Sequence, residues 1–388
     1  MDPYSYVAGR LPTDQRKAIR AFWSHFEANA DALDQYFSSK MTEITTDPSE
    51  VMAALGSVSP ELMWEFGPSD RGHALTVTAE WHDDNRPLAR AVHDMAPDLP
   101  RWRFHEVRSG ESDSRVTADY FAARFGKPLA LTHIDTALGR DGRIDLTARG
   151  QGNAKTLADQ ALQAASIVLG EEVDRDWLGF IDGAPTAKAG IFGRLRQQPA
   201  EPFDAAGFAE RFRATIADAK SQMPQQPYSA VPPDNREAIL FKANKIHSDH
   251  RRCDLMTFTT SSETYGHAVL SGGRFSSRCH SLHDEWFLYL RIPRTSDTPF
   301  DDVSERGAIE DRLHDALSAD GLGGMVAAGH GQEAVYIDLA VTDVALAVER
   351  VAQTLGGEIY ADAATLHFLD QGLQRLIIPA APDLLTLN

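Results

Sequence analysis

Glu285-Trp286-Phe287-Leu288-Tyr289-Leu290-Arg291-Ile292 is the stretch that decides the fold. Apolar side chains fill it, and Trp286, Leu288 and Leu290 fall on one face of an extended chain, the period of two that marks a strand. Downstream, Ser304 caps a predicted helix in which Ile309, Leu313 and Leu317 recur at helical spacing. Met325–Ala328 and Ala334–Val341 read as a hairpin. Val344, Val348, Val351 and Leu355 form the apolar face of a second helix, which stops at Gly356. Ile359–Ala361, Thr365–Leu369 and Leu373–Ile378 are further strand candidates.

The order from Glu285 onward is βαββαβ, the ferredoxin-like split unit. Before it, Asp254–Thr259 predicts a strand and Glu263–Leu270 a short helix. Residues 183–236 read as a connector. Phe208, Phe212 and Ile216 mark a helix over Phe203–Lys220, and the proline-rich run from Met223 cannot continue it.

The N-terminal half opens on an amphipathic helix carrying Ile19, Phe22, Phe26, Ala30, Leu33 and Phe37, with Thr13 or Asp14 as its cap. Asp47-Pro48-Ser49-Glu50 starts a short second helix ending at Gly56. The period then changes to two. Leu62–Phe66 and His73–Trp81 are predicted strands, with Leu75, Val77, Ala79 and Trp81 on one face. Pro87 begins a helix through Met95, and Trp102–Val107 returns as a strand. A second ββαβ unit follows. Leu129–Thr136 and Arg143–Ala148 flank the hairpin signal Gly139-Arg140-Asp141-Gly142, Asn153 caps a helix that Gly170 ends, and Trp177–Ile181 closes the unit. The fold class is therefore α+β. Two domains of antiparallel or mixed sheets are expected, with helices packed mainly on one face: residues 1–182, the connector 183–236, and a ferredoxin-like domain over 237–388.

The chain has 388 residues and a formal charge of −18, with 43% hydrophobic and 24% charged residues. Such composition supports real cores. The acid excess opposes phosphate backbones and anionic lipid surfaces. The local basic runs, Lys188 with Arg194–Arg196 and His250-Arg251-Arg252, are short and lack interleaved aromatics. Neither nucleic acid nor membrane is expected as a partner. Two cysteines make no disulfide framework, and the start of the chain has no signal-peptide pattern. A prokaryotic cytoplasm fits these features. The six tryptophans fall in periodic elements, where core packing accounts for them.

Both cysteines and five of the fourteen histidines lie between His247 and His283. His250 and Cys253 form one close pair and Cys279 and His283 another, with His247 and Asp249 as alternates. A tetrahedral zinc site needs four nitrogen or sulfur ligands, often in two such pairs. The opposing reading makes Cys253 a buried small hydrophobe at the start of a strand, Cys279 a residue of a polar loop and the histidines surface groups. Twin Cys-x-x-Cys pairs are absent, so no cofactor is expected and zinc is the one metal this set would take. A redox pair of Cys253 and Cys279 is the weaker alternative. Gly150-Gln-Gly152-Asn-Ala-Lys155-Thr156 follows a strand and opens a helix but lacks the P-loop glycines, and reads as a loop with an N-cap. Gly321-Leu-Gly-Gly324 and Gly329-His-Gly331 read as turn glycines. His82-Asp83-Asp84-Asn85 and Asp301-Asp302 precede predicted helices, where such charge is favoured without catalysis.

The runs Arg252-Cys-Asp-Leu-Met-Thr-Phe258, Gly273-Arg-Phe-Ser-Ser277 and Trp286-Phe-Leu-Tyr-Leu290, with the elements after Ser304, resemble two groups of bacterial proteins: the domain-of-unknown-function family numbered 695 and the ferredoxin-like regulator of ribonuclease activity B. The run from Ala74 to Trp102 resembles stretches of bacterial hypothetical proteins. The resemblance supplies no catalytic residue, and the regulator likeness implies a protein that binds another and alters its activity. The expected function is a non-catalytic protein-binding or regulatory role, an immunity type included, with a basic protein as partner. The alternative is a metal-binding domain or metal-dependent enzyme built on His250, Cys253, Cys279 and His283.

Overall fold

A computed structural model describes residues 1–38, 47–125, 129–186, 203–232, 237–242, 251–295, 303–374 and 377–379, the backbone alone at 124, 125, 303–305 and 379. The fold is α+β, with antiparallel and mixed sheets. The chain divides into two compact units. The first comprises 1–108 and 371–375, the second 109–370 and 376–388. Of the segment 183–236, expected as a connector, the described residues 183–186 and 203–232 belong to the second unit. The physical reason is its aromatic content: Phe203, Phe208 and Phe212 are core residues there.

In the first unit, α1 (Pro3–Ala8) is capped by Asp2, whose carboxylate accepts the Ser5 N–H at 2.9 Å. The amphipathic α2 (Thr13–Ser38) buries Ile19, Phe22, Phe26, Ala30 and Leu33, the predicted stripe. Trp23 beside them donates its indole N–H to the Val92 carbonyl at 2.8 Å. Asp47 caps the short α3 (Pro48–Met52). Strands β1 (Met63–Ser69) and β2 (Gly72–Thr78) pair antiparallel, α4 (Arg86–Asp94) crosses over, and β3 (Trp102–His105) pairs parallel to β2. Trp81, expected on the buried face of β2, is 47% exposed. The strand ends at Thr78, and Glu80 turns the chain with a φ of 49°, so the alternation stops before the tryptophan. Residues 371–375 complete this unit. The Tyr4 hydroxyl donates to the Gln371 carbonyl at 3.0 Å, and Gly372 sits so close to Asp83 that a Cβ there would lie 2.2 Å from the Asp83 carbonyl oxygen.

The second unit begins with α5 (Ser114–Phe125). Strands β4 (Leu131–Leu138) and β5 (Ile144–Gly150) pair antiparallel, helices α6 (Ala154–Leu169) and α7 (Glu171–Trp177) follow, and β6 (Leu178–Pro185) pairs parallel to β5. This repeats the pairing of β1, β2 and β3. Asn153 caps α6 by accepting the Thr156 N–H at 2.8 Å, which uses one of the donors a phosphate would need. Helix α8 (Ala205–Ser221) packs on β4 and α6.

A seven-stranded sheet contains β7 (Ile239–Lys242), β8 (Leu255–Thr260), β9 (Trp286–Pro293), β10 (Gly323–Gly331), β11 (Ala334–Val341), β12 (Thr365–Phe368) and β13 (Ile377–Pro379). Helix α9 (Glu263–Ser271) follows β8, α10 (Val303–Ala319) follows β9, and α11 (Val344–Leu355) follows β11. The βαββαβ run from β9 to β12 places its strands in the sheet as β12-β9-β11-β10, every pair antiparallel. Strand β11 is buried along its whole length, so both of its faces are covered. Two expectations are corrected. Ile359 is 71% exposed and the chain over Ala361–Ala363 forms a 3-10 turn, so the expected strand Ile359–Ala361 is absent and the sheet is entered only at Thr365. Gly329 and Gly331 lie inside β10, not in turns; a Cβ at Gly331 would meet the Asp254 carboxylate at 2.2 Å. Asp301, Asp302 and the side chain of Ser304 lie outside the described residues.

Candidate functional site

The histidine and cysteine window divides when placed in three dimensions. His247, Asp249 and His250 lie outside the described residues, as do Lys188 and Arg194–Arg196. Cys253 is exposed in the turn before β8, and Cys279 is buried; both are free thiols. The Cys279 thiol donates to the Asp176 carbonyl at 3.1 Å, and burial pushes it well above the ordinary thiol range. His283 is half-buried, with its backbone N–H on the Ser281 hydroxyl at 3.0 Å. Its neighbour His280 stacks on Phe275 with ring centroids 4.8 Å apart, and burial lowers its imidazole to about 3. Among the described residues, no group of three or more His, Cys, Asp or Glu side chains could hold a metal ion.

Buried hydrogen bonds hold the 276–287 segment in place. Ser277 donates its backbone N–H to one oxygen of Asp370 at 2.8 Å and its hydroxyl to the other at 2.5 Å. The Ser281 hydroxyl donates to Glu285 at 2.6 Å, and Glu285 also accepts the Tyr228 N–H at 2.8 Å. Ser277, Ser281, Glu285 and Asp370 are all buried. Each polar group has a partner, which is the condition for burying them at modest cost.

Against this segment stands the tip of the β4–β5 hairpin, and there the second unit has an open recess of about 770 Å³. Gly142 makes the approach close. Its φ is +82°, and a Cβ would lie 2.9 Å from Thr264 Cγ2 and 3.1 Å from the Cys279 carbonyl oxygen. The next residue, Arg143, is drawn inside by that approach and is 3% exposed. Its guanidinium donates to the Arg175 carbonyl, while Nε has no hydrogen-bond acceptor among the described residues. No described carboxylate forms an ion pair with Arg143. Asp176, the nearby candidate, is engaged at both oxygens by Arg175, at 2.5 and 2.9 Å.

Burial, reinforced by the positive charge of Arg274, lowers the proton affinity of Arg143. A guanidinium nonetheless stays protonated, so the wall holds a fixed cation whose charge is poorly compensated. Arg140 and Arg274 line the same recess and are exposed. Phe180 and Leu270 supply an apolar side, and Asp141 and Asp145 bring two carboxylates. Ser271, a hydroxyl on the wall, donates to the Ala268 carbonyl at 3.0 Å. Arg140, Arg143 and Arg274 gather positive charge around the recess, which favours a negatively charged group there.

The 247–283 window does reach this recess, through His267, Leu270, Ser271 and Arg274 and not through sulfur ligands. The sequence signal for Arg143 was the hairpin turn alone; nothing local marks the arginine after it as buried. No protein-family model, curated protein or solved structure matches the chain.

Proposed function

We propose that the chain is a non-catalytic binding protein of regulatory type, and that the arginine-lined recess is where it recognises an anionic group. The observation that carries this reading is Arg143, a nearly fully buried cation in the wall of an open recess, with Nε unpaired among the described residues. A buried, incompletely paired charge is costly, and an anion in the recess offsets that cost. The resemblance to a regulator of ribonuclease activity supports the regulatory part, with a ferredoxin-like segment from β9 to β12, a cytoplasmic setting and a basic protein partner. The net charge of −18 suits such a partner by steering its approach.

Thermal unfolding in increasing inorganic phosphate tests the recess, with chloride at equal ionic strength as reference. Saturable stabilisation is expected in the natural protein and its loss in Arg143→Gln and Arg274→Gln. Arg274 is exposed, so its substitution keeps the test interpretable if the Arg143 variant folds poorly. A phosphate effect no larger than that of chloride, or one that survives both substitutions, overturns the reading.

A further inference from the structure

The anion recess also indicates the size and shape of what enters it. We infer that its ligand is a small phosphate monoester carrying a planar ring, a nucleoside monophosphate in chemical class. This rests on the reading of the recess as an anion site.

A recess of about 770 Å³ is far larger than a phosphate group and falls in the range of roughly 300–1,000 Å³ typical of small-molecule sites. Phe180 is 71% exposed on β6 and lines the recess, so its ring is available for stacking. Its backbone is fixed: the Phe180 N–H donates to Asp145 at 2.7 Å. Gly179 makes this grip available, because a Cβ there would lie 2.5 Å from the same carboxylate oxygen. A ring held by its backbone at the edge of a recess is a stacking platform, and Leu270 extends the apolar wall.

Arg143 is buried, while Arg140 and Arg274 are exposed, so a phosphate can be met from behind and from the rim. Asp141 and Asp145 each accept one backbone N–H through Oδ1, at 3.2 and 2.7 Å, and are the acceptors here for hydroxyl or amino donors on the rest of the ligand.

A chain of net charge −18 repels a phosphate backbone at every step beyond the recess, while a single monoester meets only the local arginines. Three arginines in one recess of so acidic a protein favour one phosphate over many.

Calorimetric titration of the full chain with four probes tests this: inorganic phosphate, glycerol phosphate, adenosine 5′-monophosphate and a short single-stranded oligonucleotide. The nucleotide is expected to bind about tenfold or more tighter than either ring-free phosphate, and the oligonucleotide no tighter than the nucleotide. Phe180→Ala is expected to erase the nucleotide's advantage over the ring-free phosphates. Ring-free phosphates binding as tightly as the nucleotide, or an advantage that survives Phe180→Ala, would overturn the ring and leave the anion recess standing. A tighter oligonucleotide would overturn the small ligand. No binding by any probe would overturn both this inference and the reading it rests on.

Discussion

Arg252 and Asp338 form an ion pair sealed inside the seven-stranded sheet's own unit. Arg252 Nη1 lies 2.9 Å from one carboxylate oxygen and 3.0 Å from the other, and the two side chains are 1% and 0% exposed. The Tyr265 hydroxyl donates to the same carboxylate at 2.7 Å, and the Arg252 guanidinium lies 3.9 Å from the Tyr289 ring centroid. Burial pushes the Asp338 carboxyl up, and Arg252 opposes that by favouring the charged form.

Removing one partner of this pair should cost more than removing both. Asp338→Leu leaves a guanidinium stranded among aromatic rings, and a loss of about 3–5 kcal/mol is expected. Arg252→Met combined with Asp338→Leu should lose clearly less. Urea unfolding of the three variants measures this, and a double variant as unstable as the single one would argue that the pair does more than neutralise itself.

His367 should make the second unit acid-sensitive. Its ring stacks on Tyr289 at 4.7 Å, and burial, aided by Arg251, Arg252 and Arg291, lowers its imidazole from 6.5 to about 3. Between those values the unfolded chain binds a proton that the folded chain does not. The contribution is therefore full above about pH 6.5 and is lost as pH falls toward 3. Asp370, raised by burial to about 6, works in the opposite sense over a narrower window. The urea midpoint should fall between about pH 7.5 and pH 5. His367→Phe, which keeps an aromatic ring against Tyr289, should flatten that fall. Equal slopes in the two proteins would remove His367 as the cause.

Gly142→Ala should disturb the recess from its hinge. The residue has a φ of +82°, and the new methyl would meet Thr264 and the Cys279 carbonyl. A loss of about 1–3 kcal/mol is expected from the backbone strain alone. Adding Thr264→Ser removes the Cγ2 contact, so recovery in the double variant separates collision from strain. Phosphate titration of the same variants should show weaker binding, since Arg143 is the adjacent residue.

The two cysteines should react in sequence. Cys253 is exposed and should be alkylated in the folded protein, while Cys279 is buried and bonded to the Asp176 carbonyl. Mass spectrometry after a short iodoacetamide pulse should find one modified thiol under native conditions and two in urea. Prompt labelling of Cys279 in the folded chain would contradict its placement.

What the sequence made legible was burial with a period. The α2 stripe and the runs of β9 and β11 announce themselves because long apolar rows leave few alternatives. Elements that bury little stayed hidden. Helix α5 buries Thr117 and Phe121 but leaves Val116 half exposed, so it shows no stripe. Helix α7 starts directly after Gly170, a glycine that reads as an ending. Strand β7 is a four-residue edge. Of the recess, the hairpin turn was visible, but the burial of Arg143 depends on Thr264 and Cys279, more than a hundred positions away. The metal reading of Cys279 and His283 came from spacing in the chain, which cannot show that the thiol hydrogen-bonds to a carbonyl.

The return of residues 371–375 to the first unit has a consequence in time. A ribosome releases Tyr4 and Asp83 long before their partners Gln371 and Gly372. The first unit can begin to fold early but is completed only after the 262 residues 109–370 have been made. Any stall in translation before Gln371 leaves that unit open, however sound its own core.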